Sequence, residues 1–391
     1  MIFLLYFLLI FFLIIDKIKQ RSFFAPSTFF NIVFISIISL YQLKISYLQQ
    51  DLSYRTLLIF ISSILSFNIG CLLIDNFSFK ELKKIKSSND KTLNKDIIHY
   101  IFILLFIVEC IYSKGFPLLN LVLTGNSNYL HFGIPSLHGA LNGLAICMSV
   151  FYIKKRDKKR FLYYLFCLMT FSRQVLISII IESVACYCLS KKEKIKKINY
   201  KKVLVFIIMF VFSFGILGNI RSGNNTMNNL FMPKEQYKNL PNGIKWVYSY
   251  TTFSVSNFNN LVSITDGGIT KGGSMLETFL PTVLLNKFNL PKFDKYYFVL
   301  INFNVSTAFT PIYLDFSFAG IIIFFMTIGF ICNYYYKKYM LRKDLVNMMI
   351  YSVLLHNILL LFFVNMFLYL PVIIQLLYIP LFFQREGDLY E

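Results

Sequence analysis

The sequence predicts an all-α polytopic integral membrane protein of about 11 transmembrane helices with one large extracytoplasmic loop domain. Three observations predict it. Apolar residues arrive in blocks of roughly 15–20 rather than in the broken stripes of a soluble helix. Runs such as GIIIFFMTIGFI are apolar on every face, whereas a barrel strand alternates apolar with polar. Basic residues gather in alternate connections between the blocks.

The formal net charge of +20 would suit a nucleic-acid partner in a soluble protein, so its distribution decides its meaning. Most of the 39 Lys and Arg residues lie in DKIKQR (16–21), KELKKIKSSNDKTLNK (80–95), KKRDKKR (154–160), KKEKIKKINYKK (191–202) and KKYMLRK (337–343), with Arg385. By the positive-inside rule these loops are cytoplasmic, and the charge is a topogenic signal with no nucleic acid implied.

Placing every Lys-rich loop on one side puts the amino terminus outside and the carboxyl terminus in the cytoplasm. The opening MIFLLYFLLIFFLII has neither a basic leader nor a small-residue cleavage site, and reads as a retained first span. Spans are expected over 1–15, 23–42, 55–74, 97–113 and 134–153. The external connection 114–139 is rich in Gly, Pro and Asn. Residues 161–190 are flanked by a basic cluster at each end, so the chain must turn back as two short spans, 161–171 and 174–189. That puts Arg173 at the tip of a hairpin, at or just beneath the outer surface. Glu182, nine residues deeper and on the opposite helical face, is expected to meet a polar partner on another helix or to be held protonated.

An eighth span, 203–220, leads into GNIRSGN, closing a first membrane bundle over 1–220. Residues 221–298 hold no stretch able to cross and form the large loop, with the turns DGG (266–268) and KGG (271–273). The C-terminal bundle, 299–391, carries spans 316–336, 345–364 and 366–383. All seven cysteines (71, 110, 147, 167, 186, 188 and 332) fall inside expected spans with no CxxC pair, so neither a disulfide framework nor a metal centre is expected.

Three features carry candidate chemistry: Arg173, Arg221 at the root of the large loop, and the run from Asn302 through Thr307, Tyr313 and Asp315 to Gly320. External arginines suit a phosphate or pyrophosphate ligand, because a planar guanidinium makes paired bonds to it. The plainer role for the same side chains is snorkelling at the interface. Asp315, Asp266, His131 and His138 are the external candidates for a base. His131 and His138, seven apart, could share one helical face, but with no third ligand a metal site is not expected. Trp246, with Tyr248 and Tyr250, stacks either on sugar rings or within the protein. His356 and Asn357 are expected to hydrogen-bond between helices.

The hairpin SRQVLI between basic loops, the span-then-Arg GNIRSGN, the long external loop after it, and N-x-x-x-x-T…Y-L-D-F-x-x-x-G before an apolar span resemble bacterial Wzy-type oligosaccharide repeat-unit polymerases of O-antigen and capsule assembly. The likeness covers about the last two-thirds of the chain. Ser317 stands where the pattern Asp-Phe-Gly has glycine, which leaves the turn at the mouth of span nine open.

The resemblance implies a glycosyltransferase of the bacterial plasma (inner) membrane that polymerises undecaprenyl-pyrophosphate-linked oligosaccharide units for lipopolysaccharide or capsule. A chain-length regulator and a flippase would be its companions. The lipid-pyrophosphate bond carries the energy, so no cofactor and no nucleotide-binding loop are expected, and no G-x-x-x-x-G-K-[ST] occurs. In that setting Arg173 and Arg221 hold the pyrophosphate and Asp315 is the preferred base. His131, His138, Asn302, Thr307, Tyr313 and Trp246 are the further substrate-binding candidates. An O-antigen ligase shares the architecture and donor, and a polysaccharide flippase or transporter is the alternative from another class.

Overall fold

Inside hydrocarbon every backbone N–H and C=O must be satisfied within the chain, which makes helices the only form open to blocks this apolar. The computed structural model describes residues 1–75, 95–125, 129–190, 226–285, 287–288, 293, 297–300 and 303–383. Its helices are α1 Ile2–Ile18, α2 Pro26–Gln42, α3 Tyr54–Asp75, α4 Lys95–Tyr112, α5 Pro117–Thr124, α6 Leu137–Lys154, α7 Arg160–Met169 and α8 Arg173–Ser190. Then follow α9 Asn242–Ile264, α10 Gly273–Phe279, α11 Phe309–Arg342, α12 Leu345–Leu359 and α13 Leu370–Phe382, besides shorter turns.

Among the described residues five helical stretches are long and apolar enough to cross a membrane: α3, residues 96–124, α6, α8 and α11. Helices α2, α7, α12 and α13 are shorter apolar ones. No strand forms among these residues, only an isolated bridge between Ser46 and Pro233. The expected span 203–220, Arg221 and Asn302 lie outside the described residues.

Helices α3 and α11 form the tightest crossing, and two glycines set it. A Cβ on Gly70 would fall 2.1 Å from the Met326 carbonyl oxygen, and one on Gly329 2.2 Å from that of Phe67. Absent side chains here let the backbones touch, the usual device where helices associate without a hydrophobic driving force. Around this seam Phe30 stacks on Phe67 at 4.0 Å and Phe309 on Phe325 at 4.6 Å. Asn31 and Asn68 exchange amide hydrogen bonds at 3.1 Å between α2 and α3.

The two ends of the bundle differ in chemistry. At the basic end Arg21 bonds Asp16 at 2.9 Å and also pairs with Asp75, which takes Lys19 and Lys337 at 3.2 Å each. Lys159 pairs with Asp96 at the same end, where Asp344 caps α12 through the Asn347 N–H at 2.7 Å. At the far end α9 lies across the helix termini. Tyr248 donates to the Leu40 carbonyl at 3.0 Å, Asn259 to that of Asp51 at 3.1 Å, and Asn257 to those of Phe303 and Val305 at 2.8 and 2.7 Å.

Three boundaries differ from expectation. The connection 114–139, expected to be external, contains α5, started by Pro117 and closed by left-handed Gly125, with Val122 and Leu123 exposed. Helix α12 ends at Leu359, and residues 360–369 turn to receive the head of α11: the Ala308 N–H donates to the Leu361 carbonyl at 2.7 Å, and Asn365 donates to the Ala308 carbonyl at 3.0 Å.

Helix α11 starts at Phe309, seven residues before the expected 316, since Pro311 falls in its first turn, where a missing N–H costs nothing. It then kinks at Ser317, whose φ of 53° and ψ of −147° belong to glycine. The kink frees the carbonyls of Tyr313 and Leu314, which accept at 3.0 Å from the N–H groups of Gly268 and Thr270. The DGGITKGG loop thus closes on the broken turn. Gly267 is required there, as its Cβ would lie 2.5 Å from the Tyr313 carbonyl oxygen.

Candidate functional site

The hairpin tip is built as the basic flanks require. Helix α7 ends at Met169, and the next residues form a Schellman closure: Phe171 N–H bonds the Leu168 carbonyl at 3.3 Å and Ser172 N–H that of Cys167 at 3.0 Å. Phe171 takes the left-handed position, φ 53°. Thr170 steadies the turn by donating to the Phe166 carbonyl and sharing a contact with the Ser172 hydroxyl, both at 2.8 Å. Arg173 then opens α8, exposed, and its guanidinium has no ion pair or side-chain hydrogen bond among the described residues. A few ångströms on, the Gln174 amide meets the Met366 sulfur at 3.8 Å. That ties the tip to the 360–369 turn, and so to Ala308 and the head of α11.

His138 packs against the same hairpin. Its Nδ1 lies 3.0 Å from Oε2 of Glu109, a carboxylate buried completely in α4. The ring stands edge-on to Phe132 at 5.4 Å and 6.4 Å from Phe166, one turn before the tip. Gly133, φ 92°, makes the close approach possible, since a Cβ would come within 2.8 Å of the His138 ring. No other side-chain hydrogen bond to the ring is made among the described residues, and none of them takes Nε2. A carboxylate that holds one imidazole nitrogen and leaves the other open is the arrangement that prepares a histidine as a base. Glu109 was not among the expected site residues, and the signal for it was a single carboxylate in the apolar run FIVECIY.

The other expected residues fall elsewhere. Asp315 is buried, and its two oxygens accept from the Thr270 hydroxyl, from Ser274 N–H at 2.9 Å and from Met275 N–H at 2.7 Å. It caps α10 across the chain, and with three donors on it this geometry is a cap rather than a base open to a substrate hydroxyl. Tyr313 is buried too and donates to the Thr265 carbonyl at 2.9 Å. Thr307 is buried beside the 360–369 turn with its hydroxyl unpartnered. Asp266 is exposed and paired with Arg55.

His131 ends a short 3₁₀ turn, Tyr129–His131, and is exposed. Residues 132–136 are not helical, so it shares no helical face with His138. Trp246 is 6% exposed and forms part of a small core with Ile45, Met227, Phe231, Tyr248, Phe253 and Phe303, which leaves no face for a sugar. Arg221 and Asn302 lie outside the described residues.

Comparisons of the chain with protein-family models, with curated proteins and with solved structures found no match. Among the described residues no three His, Cys, Asp or Glu side chains group to hold a metal ion. The site therefore rests on its own geometry: a cation unpaired among the described residues at a hairpin tip, a carboxylate-held imidazole against that hairpin, and a strained turn at the head of α11 closed by the DGGITKGG loop.

Proposed function

We propose that this protein is a Wzy-type polymerase that joins lipid-pyrophosphate-linked oligosaccharide units at the outer face of the bacterial plasma membrane. The observation that carries the reading is Arg173, an exposed guanidinium, unpaired among the described residues, at the tip of a hairpin anchored in the bundle. An arginine left unpaired on a built turn suits a diphosphate, whose oxygens the planar fork can grip in pairs. In this reading the far end of the bundle is external, and the chain makes eleven spans with its carboxyl terminus in the cytoplasm.

The acceptor sugar hydroxyl gives its proton to His138 Nε2, and its oxygen attacks the anomeric carbon of the donor unit. The bond from that carbon to the lipid diphosphate breaks, and the departing diphosphate keeps the electron pair, its charge held by Arg173 with Arg221 as the proposed second clamp. Glu109 holds the imidazole and stabilises the imidazolium that forms. Asp315 acts at one remove: by capping α10 it fixes the loop that closes on the kink. Thr307 and Tyr313 belong to that support, and His131 is left as an external contact for the glycan.

Deletion of the gene tests the reading. A polymerase leaves single repeat units capping the surface lipid. Bare core lipid would contradict it and point to a ligase or flippase.

A further inference from the structure

Between α6, α8, α12 and α13 lies a layer of buried polar side chains that the proposed glycosyl transfer does not use. Asn142 stands five residues into α6, Gln375 five into α13 and Glu182 nine into α8, so at 1.5 Å per residue they fall about 7–14 Å beneath the far ends of their helices. His356 and Asn357 come from the last turn of α12. All five are buried. Oδ1 of Asn142 and both amide atoms of Asn357 and of Gln375 have no protein partner. Orphaned amides in hydrocarbon are costly, and several in one layer are best satisfied by enclosed water, which needs two to four polar partners.

Glu182 and His356 meet within this layer. Oε1 lies 3.0 Å from Nδ1, although neither atom is in line for a straight hydrogen bond. On its other side the ring places Nε2 3.3 Å from the Ser178 oxygen, while the Ser178 hydroxyl makes its shorter bond, 2.9 Å, to the Gln174 carbonyl. With its one proton spent there, Ser178 accepts, and Nε2 carries a hydrogen. Nδ1 of a neutral ring and an ionised carboxylate oxygen would then be two electron-rich atoms 3.0 Å apart in a buried site, a contact that repels unless one of the two groups has bound a proton.

No cation balances Glu182 among the described residues. The nearby titratable groups are Cys147 on α6, Cys186 on α8 and Tyr378 on α13, the last beside Cys147. Helices α2 and α13 carry no charged residue. The charged residues of the other packed helices stand at helix ends: Lys154 on α6, Arg160 on α7, Asp315 and the Lys337–Arg342 segment on α11.

We propose that Glu182 and His356 form an intramembrane proton-binding site within a water-holding polar layer. The pair binds one proton, on the carboxyl or on Nδ1, and is electrically neutral with it bound. A lone carboxylate here would carry an uncompensated charge at a depth where that is expensive.

The test is spectroscopic, on full-length protein in lipid nanodiscs. Ring-nitrogen NMR of His356, assigned by loss of its signals in His356→Gln, is read together with infrared difference spectra in H2O and D2O. The proposal expects Nε2 protonated, with either a protonated Nδ1 or a deuterium-sensitive carboxylic C=O band that Glu182→Gln removes. A neutral ring, protonated on either nitrogen alone, above a carboxylate with no such band would overturn it. Should Glu182→Gln fail to insert, the ring protonation and the carboxylic C=O band of the wild-type protein, with Glu182→Asp shifting that band, decide together.

Discussion

The imidazole of His138 presents Nδ1 to the buried carboxylate of Glu109 at 3.0 Å, which leaves Nε2 without a partner among the described residues, on a ring 6.4 Å from Phe166 of the hairpin that carries Arg173. If that nitrogen takes the acceptor proton, His138→Gln should lower polymer formation by about 10²–10⁴-fold with the protein still at normal level in the membrane. Glu109→Gln should lower turnover as well while leaving donor affinity near normal, because it disturbs the ring and not the diphosphate contact. Full turnover in His138→Gln would remove the base assignment.

Replacing Arg173 separates grip from mere anchoring. Arg173→Ala should cost about 10²–10³-fold in turnover, the usual scale for one charge-stabilising donor. Lys should restore part of it, since a point charge lacks the planar fork. A snorkelling arginine would be replaced by Lys with no loss at all, so the Lys variant is the informative one.

Ser317 holds a backbone conformation suited to glycine while its hydroxyl donates to the Asp266 carbonyl at 2.6 Å. Ser317→Ala loses the bond and keeps the strain; Ser317→Gly loses the bond and the strain together. The Gly variant should therefore be more stable than the Ala variant by about 1–3 kcal/mol. Thermal unfolding in detergent checks the order, and equal midpoints would mean the kink relaxes freely.

At the α3–α11 seam, Gly70→Ala and Gly329→Ala each place a methyl against backbone that cannot yield as a side chain would. Each is expected to cost about 1–3 kcal/mol. Gly272, where a Cβ meets nothing within 4 Å, serves as the control for space, though its φ of 98° adds a backbone penalty of its own. A seam that tolerates both alanines without loss would contradict the close crossing.

Burial pushes the Tyr297 phenol up to about 12, and the Glu277 carboxylate nearby acts in the same direction. Between the ordinary phenol value near 10 and that figure, the folded protein keeps a proton that the unfolded chain has released. Stability from this group is therefore complete below about pH 10 and lost as the pH rises toward about 12. Tyr297→Phe should flatten the alkaline fall in unfolding midpoint, and an unchanged slope would show that other groups set it.

Much of this was readable in the residues, and the failures have physical causes. The α7–α8 hairpin and its turn at Thr170–Ser172 follow from two basic clusters that one helix cannot separate. Glu182 and His356 were each expected to find polar partners, though not each other, because spacing along one helix says nothing about which helix packs beside it. Asp315 is the expected base because the motif of the resembling family places it beside the membrane surface. Its partners Thr270, Ser274 and Met275 lie some forty residues upstream, and only the kink at Ser317 brings that loop to it. The early start of α11 was hidden by Pro311, which marks a break in mid-helix and a beginning in the first turn. Trp246 has the composition of a stacking platform, yet α9 lies against the far helix ends and turns it inward.

The most direct measurement is reconstitution: purified protein in nanodiscs, given lipid-pyrophosphate-linked oligosaccharide and no nucleotide sugar. The account predicts a ladder of longer glycans with release of lipid diphosphate, and loss of both in Arg173→Ala. An undiminished ladder from Arg173→Ala, or no product from folded wild-type protein, would contradict it.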